Sequence, residues 1–320
     1  MNWQELKENL LLGKRRALSR AITLIESTRE EDQENALSLM ESLPENSGSQ
    51  SLRIAISGPP GVGKSTFLES FGLRLANQGH KVAVLAIDPS SAISGGSILG
   101  DKTRMQKLSL HENAFIRPSP SSGTLGGAAK RTLEAVRLCE AAGYDRVFVE
   151  SVGVGQSETA LSHMTDIFLL LALPNSGDEL QGMKRGIMEV ADLVFVSKSD
   201  LNREAALGTA QEIRSALHLF RPRHSFFTSW VGTGSSLNGE GQEELLQQLK
   251  KFETAARESG ALDKNRREQL ARWFETMVRE EVLHRFLKSH QGSMDVLSRR
   301  LINRQVGLGQ ALKEIFRTPA

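Results

Sequence analysis

The stretch Gly58-Pro-Pro-Gly-Val-Gly-Lys-Ser65 decides the fold of this 320-residue chain. It fits the phosphate-binding pattern G-x-x-x-x-G-K-[ST] without a mismatch. An apolar run, Leu52–Ser57, precedes it, and an amphipathic run begins at Lys64, so the motif lies between a predicted strand and a predicted helix. The glycines let backbone N–H groups turn towards phosphate oxygens, and the helix adds the positive end of its dipole. The pattern therefore predicts a site for a nucleoside triphosphate.

Short apolar runs alternate with amphipathic stretches on the carboxyl side of this motif. Continuous apolar runs are typical of strands that are buried on both faces of a parallel sheet. We therefore predict an α/β fold with the doubly wound, mainly parallel sheet of P-loop NTPases. The predicted strands are residues 52–57, 82–87, 147–149, 167–173 and 193–196, and the predicted helices between them include 64–77, 126–142 and 203–219.

The two ends of the chain are predicted to be helical. Residues 3–43 show helical periodicity without a proline, and the polar stretch 44–51 is a linker by composition. We predict an N-terminal helical region with its linker over 1–50, the P-loop domain over 51–260 and a C-terminal helical region over 261–320. The last region carries 12 basic against 7 acidic residues. Its first helix has two apolar faces, one of Leu270, Trp273, Phe274 and Met277 and one of Val278, Val282 and Phe286. Such a helix needs two packing surfaces, which are either both within one monomer or shared with a second subunit.

Composition excludes several classes of protein. Forty basic and 38 acidic residues give a net charge of +2, so no overall charge drives binding to nucleic acid or to a membrane. No apolar run approaches the roughly 18 residues that span a bilayer. Aromatic residues make up only 5% of the chain, and its one cysteine, Cys139, cannot form an internal disulfide. Because the N-terminus also shows no leader pattern, we predict a cytoplasmic protein.

The phosphate loop and three acidic residues form the predicted phosphate and metal site. Lys64 is expected to reach the β- and γ-phosphates as a catalytic residue, and Ser65 to bind Mg²⁺ through its hydroxyl. Asp88 and Glu150 each follow an apolar run, and Asp101 ends a long loop rich in small residues. Taken alone, each acid could equally be a helix cap or a solvated loop charge. The predicted nucleotide-binding residues of the loop are Gly58, Pro59, Pro60, Gly61, Val62, Gly63, Lys64, Ser65 and Thr66.

Two later segments are predicted to contact the base. The run from Val194 ends in S-K-x-D, where GTPases have N-K-x-D. The Asp200 carboxylate would accept hydrogen bonds from guanine N1–H and the 2-amino group, and Lys198 would lay its alkyl stem along the base. Ser197 replaces the asparagine, so it can make one hydrogen bond but cannot bridge as an amide does. The residues Ser229, Trp230 and Val231 are predicted to contact guanine O6 through backbone N–H.

These segments together resemble the MeaB/ArgK family of P-loop GTPases. The resemblance is strong over about residues 50–250 and is carried by residues 58–66, 86–91, 95–105, 117–127, 150–158 and 177–186. It implies that residues 95–105 are switch I, that 150–158 are switch II with Glu150 as a catalytic and metal-binding residue, and that 175–186 are an additional switch III. Lys184 in switch III would then act on the phosphates. Ser197, Trp230 and residues 174–176 depart from the family pattern.

The resemblance also implies a function and partners. The family members are GTPases that hydrolyse GTP to GDP and phosphate with Mg²⁺. They bind an adenosylcobalamin-dependent acyl-CoA mutase of the methylmalonyl-CoA mutase type, gate its cofactor loading, and protect or reactivate it. A homodimer and an adenosyltransferase that supplies cobalamin are further expected partners. Two alternatives stay open: a P-loop kinase, with Arg104 and Arg117 as lid arginines, and a metal-insertion GTPase, which the single cysteine and scattered histidines disfavour.

Overall fold

The computed structural model describes residues 3–44, 49–87, 105–119, 125–151, 157–174 and 185–317. Three predicted site residues, Asp88, Asp101 and Lys184, lie outside these ranges. The chain divides into two compact units, Met1–Gln269 and Leu270–Ala320. The predicted domain boundaries near residues 50 and 260 stay a prediction.

A seven-stranded parallel sheet is the centre of the first unit. Its strands are β1 Leu52–Ser57, β2 Val82–Ile87, β3 Ala114–Ser119, β4 Arg146–Ser151, β5 Ile167–Ala172, β6 Leu193–Val196 and β7 Trp230–Thr233. The strand order is β3-β2-β4-β1-β5-β6-β7, and every neighbouring pair is parallel. The predicted doubly wound α/β fold is therefore confirmed. The carboxyl ends of all seven strands meet at one edge of the sheet, where ligands bind in this architecture.

Helices flank the sheet of the first unit. They are α1 Trp3–Leu11, α2 Arg15–Glu26, α3 Glu30–Glu41, α4 Lys64–Asn77, α5 Gln106–Leu110, α6 Leu125–Ala141, α7 Ser157–Met164, α8 Arg185–Val190, α9 Arg203–Leu217 and α10 Gln242–Glu258. The long helix α11, Ala261–Ile302, begins in this unit. The stretch 3–43 forms three helices rather than one because Gly13 takes a left-handed φ of 73° and the backbone at Ser27 is extended.

Aromatic side chains fix α4 on the sheet. Phe67 and Phe71 are fully buried, and their ring centroids are 5.2 Å apart. Phe67 also lies 5.5 Å from Phe195 of β6, and Phe71 lies 6.4 Å from Phe148 of β4. Burial of each such ring contributes roughly 2–3 kcal/mol. Since α4 begins at Lys64, this packing sets the position of the phosphate loop.

The N-terminal helices pack against the sheet domain within the same unit. Leu10, Leu18 and Ile22 are fully buried, and α2 lies against α6. Arg117 of β3 forms an ion pair with Glu26 of α2 at 2.5 Å. These contacts join the predicted N-terminal region to the edge of the sheet.

One backbone carbonyl on the outer edge of β7 is bound by a side chain. In the parallel ladder Trp230 N donates to Asp192 O at 3.0 Å, and Gly234 N donates to Val196 O at 2.9 Å. The intervening carbonyl of Val231 accepts a hydrogen bond from Arg214 Nη2 of α9 at 2.9 Å instead of from another strand. The last strand of the sheet thus has a partner at this carbonyl on its outer side.

The second unit holds the remainder of α11 and a final helix, α12 Leu308–Arg317. Its small core contains Leu297, Val306, Ala311 and Ile315. The Phe286 ring stacks with that of His290, at a centroid distance of 4.2 Å, and with that of Phe316, at 5.1 Å.

Many large apolar side chains of the second unit remain exposed. They are Leu270, Phe274, Val278, Val282, Leu283, Leu287, Met294, Val296, Ile302, Leu308, Leu312 and Phe316. Several of them line a groove of about 630 Å³ between the two helices of this unit. Within the described part of the chain, no helix is long and apolar enough to cross a membrane.

Candidate nucleotide-binding site

The phosphate loop leaves β1 at the carboxyl edge of the sheet and enters α4. A Cβ atom at Gly58 would lie 2.5 Å from the carbonyl oxygen of Leu171, so the loop approaches β5 more closely than a side chain allows. Gly63 has a left-handed φ of 96° and precedes α4 without a side-chain cap. The first N–H groups of α4 therefore point towards the loop without a capping side chain, which is the geometry that binds anions.

The Lys64 ammonium lies within its own loop. Its Nζ donates to the carbonyl of Gly58 at 2.8 Å and to that of Pro59 at 3.4 Å. Burial lowers the pKa of Lys64, while the nearby Glu150 carboxylate opposes this shift. A bound phosphate would offer the ammonium stronger, charged acceptors than these carbonyls.

Glu150 is brought next to the phosphate loop by the sheet register. It lies at the end of β4, beside Ile56 of β1, and is 5% exposed. At the next position of β4, Ser151 Oγ donates to Ser57 Oγ at 3.1 Å, and this hydrogen bond joins the carboxyl ends of β4 and β1. The structure thus brings Lys64 and Glu150 close together, with Ser65 next along α4.

The oxygen donors that the structure describes here suit a hard cation such as Mg²⁺. They are the Ser65 hydroxyl and the Glu150 carboxylate, and the other two predicted ligands lie outside the described residues. Within the described ranges, no group of three or more His, Cys, Asp and Glu residues could hold a metal ion alone.

The S-K-x-D segment is fastened to the phosphate loop by two side chains. Ser197 is buried, and its Oγ lies 3.0 Å from the carbonyl oxygen of Val62 and 3.3 Å from that of Ala172. Lys198 Nζ donates to the Gly61 carbonyl at 2.8 Å, and its backbone takes a left-handed φ of 60°. Asp200 is exposed to solvent. The single hydroxyl donor of Ser197 is therefore directed at the carbonyls of Val62 and Ala172.

The predicted base contact through Ser229, Trp230 and Val231 needs correction. In the β6–β7 register Trp230 lies beside Leu193, at the amino end of both strands. Ser229 Oγ donates to Ala191 O at 3.0 Å, also at that end. Since the phosphate loop is at the opposite edge, these residues are too far along the strand to reach the same nucleotide. The sequence Thr228-Ser-Trp230 leads into the start of β7, whereas a residue that contacts the base has to follow the carboxyl end of a strand.

The loop at the carboxyl end of β7, residues 234–241, occupies the place that this prediction required. Ser199 N donates to Gly234 O at 3.0 Å, so the loop lies directly beside the S-K-x-D segment. Ser235 is fully buried, and its Oγ accepts from Leu237 N at 3.1 Å. The signal in the sequence was the run Gly-Ser-Ser-Leu-Asn-Gly-Glu-Gly, a glycine-rich turn after the short apolar strand.

These features together define a P-loop nucleotide-binding protein. The protein has a parallel sheet, a glycine-rich loop between β1 and α4, a lysine at the start of α4, and the S-K-x-D segment beside that loop. The sequence model of the family described as methylmalonyl-CoA mutase-associated GTPase MeaB matches residues 18–291. The chain belongs to this family and is a GTPase that binds guanine nucleotide.

Similar proteins agree with this assignment. A putative GTPase of Caulobacter vibrioides is 50% identical over 277 residues, which cover 87% of this chain and 85% of that protein. The mitochondrial methylmalonic aciduria type A homolog of Mus musculus is 44% identical over 319 residues, which cover 96% of this chain and 77% of the mouse protein. A crystal structure described as LAO/AO transport system kinase superposes with a TM-score of 0.77 at 35% identity, covering 98% of this chain and 96% of that one. The kinase alternative is not supported, because the family is one of GTPases.

Proposed function

We propose that this GTPase serves an adenosylcobalamin-dependent acyl-CoA mutase of the methylmalonyl-CoA mutase type. It binds the mutase, gates the loading of its cofactor, and protects or reactivates the enzyme, with GTP hydrolysis as the timing step. The observation that carries the proposal is the family match over residues 18–291, because that family is described as mutase-associated. The name of the mouse relative, which refers to methylmalonic aciduria, supports the same class of partner.

The hydrolytic site follows from the charge of the phosphates. Lys64 and the N–H groups at the start of α4 neutralise the charge that develops on the γ-phosphate and on the leaving oxygen. Ser65 and Glu150, together with Asp88 and Asp101, would hold Mg²⁺, which supplies positive charge to the same oxygens. The Lys64 ammonium turns from the Gly58 carbonyl, 2.8 Å away, to the phosphates when nucleotide binds.

Guanine is selected by the segment that the phosphate loop holds in place. Asp200 accepts hydrogen bonds from N1–H and the 2-amino group of the base, and Lys198 lies along the ring. The contact of Lys198 Nζ with the Gly61 carbonyl supports this arrangement, because it ties the base-binding segment to the phosphate-binding one. Residues 234–241 form the adjoining side of the base pocket.

Intrinsic hydrolysis is slow until the mutase binds. Switch II offers no glutamine directly beside Gly153 to orient water, since Gln156 is three residues further on. Lys184 supplies a positive charge when the mutase moves residues 175–186 towards the phosphates, and a charge delivered in this way can raise the rate by about 10³-fold or more.

The exposed apolar groove of the second unit supports a homodimer. Val278 and Val282 are 44% and 62% exposed, and Leu312 is 52% exposed. Such a continuous apolar surface is typical of a protein interface, and a second copy offers the same surface in return. The adenosyltransferase that supplies cobalamin is proposed as a further partner.

The test is steady-state GTP hydrolysis with and without a purified cobalamin-dependent acyl-CoA mutase from the same organism. The unmodified protein should be stimulated, whereas Lys184→Ala should keep its basal rate and lose the stimulation. Full stimulation of Lys184→Ala would exclude the role given to that lysine. No stimulation of the unmodified protein, and no complex in gel filtration, would contradict the mutase partnership.

A further inference from the structure

Ser199 and Glu240 join the two loops that border the proposed base pocket. Ser199 lies between Lys198 and Asp200 and is 3% exposed. Its N–H donates to Gly234 O at 3.0 Å, and its Oγ donates to Glu240 Oε2 at 3.2 Å. Both the backbone and the side chain of one residue thus bind the loop of residues 234–241.

Glu240 is held firmly within its own loop. Its N–H donates to Asn238 Oδ1 at 2.9 Å, and its carbonyl accepts from Ser235 N at 3.0 Å. A Cβ atom at Gly234 would lie 2.1 Å from the carbonyl oxygen of Glu240, so the two ends of the loop touch backbone to backbone. Arg203 Nη1 lies 3.9 Å from the other carboxylate oxygen of Glu240. The backbone of Glu240 is therefore fixed within the loop, and from this position its carboxylate accepts the hydrogen bond from Ser199.

The need for this contact follows from the residue at 197. An asparagine amide has two N–H donors and a carbonyl acceptor, so it can bind two segments at once, whereas a serine hydroxyl has one donor. The Ser197 hydroxyl faces the carbonyls of Val62 and Ala172, on the phosphate-loop side. It has no second donor for the loop of residues 234–241. Ser199 and Glu240 supply that second connection two residues further along the segment.

We propose that Ser199 and Glu240 are positioning residues for guanine recognition, acting through Asp200 and without touching the base. Asp200 is exposed and follows the strained left-handed backbone at Lys198, so its orientation depends on how its neighbours are held. Lys198 fastens the amino side of the turn to Gly61, and the Ser199–Glu240 contact fastens its other side. This inference rests on the guanine-binding role that we propose for Asp200.

The experiment compares GDP with IDP, which lacks the 2-amino group, by calorimetric titration of the full-length protein with Mg²⁺. Glu240→Ala should weaken GDP binding about ten-fold, the scale of one to two hydrogen bonds, and IDP binding less. The preference for GDP over IDP should therefore fall. Glu240→Gln keeps an acceptor oxygen for the Ser199 hydroxyl and should retain most of the preference. Glu244→Ala, an exposed glutamate four residues further on in the first turn of α10, is the matched control and should change neither affinity.

Ser199→Ala provides the second arm of the test, and it stands in for Glu240→Ala if that variant does not fold. It should reproduce the loss, and the Ser199→Ala/Glu240→Ala double variant should be no worse than either single variant, because both remove the same contact. An unchanged GDP-to-IDP preference in folded Glu240→Ala and Ser199→Ala, or fully additive losses, would overturn the proposal. Equal affinity of the unmodified protein for GDP and IDP would overturn the role of Asp200 and this inference with it.

Discussion

Replacing Arg53 tests a network of buried charges at the amino end of β1. The Arg53 guanidinium binds the Glu140 carboxylate through two hydrogen bonds, Nε to Oε1 and Nη2 to Oε2, both of 2.8 Å. Arg266 of α11 lies 3.6 Å from the same carboxylate and 2.8 Å from that of Asp166. Burial opposes ionisation of Glu140, but the two arginines outweigh it and lower the pKa of this carboxyl.

The expected loss of stability follows from the buried Glu140 carboxylate, which Arg53→Met leaves without its main partner. Breaking a buried ion pair by removing one partner costs about 3–5 kcal/mol, because a buried charge loses its compensation. Arg266 stays near Glu140, so we expect the lower end, about 3 kcal/mol, in the free energy of unfolding by urea. Arg74→Met is the control, because its ion pair with Glu243 is exposed and should contribute less than about 1 kcal/mol.

The dependence on pH gives this prediction a second readout. Since the pKa of Glu140 is lowered in the folded protein, the network stabilises the fold above the unfolded pKa of about 4.3 and loses this contribution as the pH falls through the folded value. In Arg53→Met the remaining carboxylate is poorly compensated. The difference in the free energy of unfolding between the unmodified protein and the variant should therefore become smaller as the pH falls from about 7 towards 4, because Glu140 becomes protonated. A loss below about 1 kcal/mol at neutral pH, equal to that of Arg74→Met, would refute the reasoning.

Three further changes test the site and the interface. Asp200→Asn should weaken GTP binding by about 2–3 kcal/mol and shift preference towards xanthosine nucleotide, and unchanged GTP affinity in a titration would contradict the guanine assignment. Lys64→Ala should abolish measurable GTP hydrolysis, while the circular dichroism spectrum stays unchanged. If the variant keeps a rate within about ten-fold of the unmodified protein, Lys64 does not have the role given to it in the transition state. Leu312→Glu places a charge in the apolar groove and should convert a dimer to a monomer in light scattering, whereas a monomeric unmodified protein at micromolar concentration would exclude the homodimer.

The sequence predicted the centre of the sheet well and its edges poorly. The strands β2, β5 and β6 are continuous apolar runs because both of their faces are covered, and such runs are easily recognised. The strand β1 carries Arg53, but the phosphate loop that follows it marks its end. The edge strands β3 and β7 were absent from the predicted set, because β3 contains Arg117 and β7 is only four residues long with Gly232 inside.

The site divides in the same way. The phosphate loop was predictable because its residue types and spacing are dictated locally by the phosphates. The position of Ser229 was wrong because a short motif does not show whether it begins or ends a strand. The network of Arg53 and Glu140 was invisible, since 87 residues separate them and single charges in a sequence resemble ordinary surface residues.

The hydrogen bond from Arg214 to the Val231 carbonyl has a consequence for the chain in a crowded cell. A strand with an unpaired outer row of backbone groups is a template for intermolecular pairing, and newly made copies emerge close together. Because Arg214 belongs to α9, which precedes β7 in the chain, the group that covers this carbonyl is synthesised before the strand itself. The long, charged side chain also disfavours the approach of an apolar strand from another molecule to this edge. The Arg214 side chain thereby disfavours pairing of this strand with a strand of another molecule, at the end of the sheet furthest from the N-terminal helices.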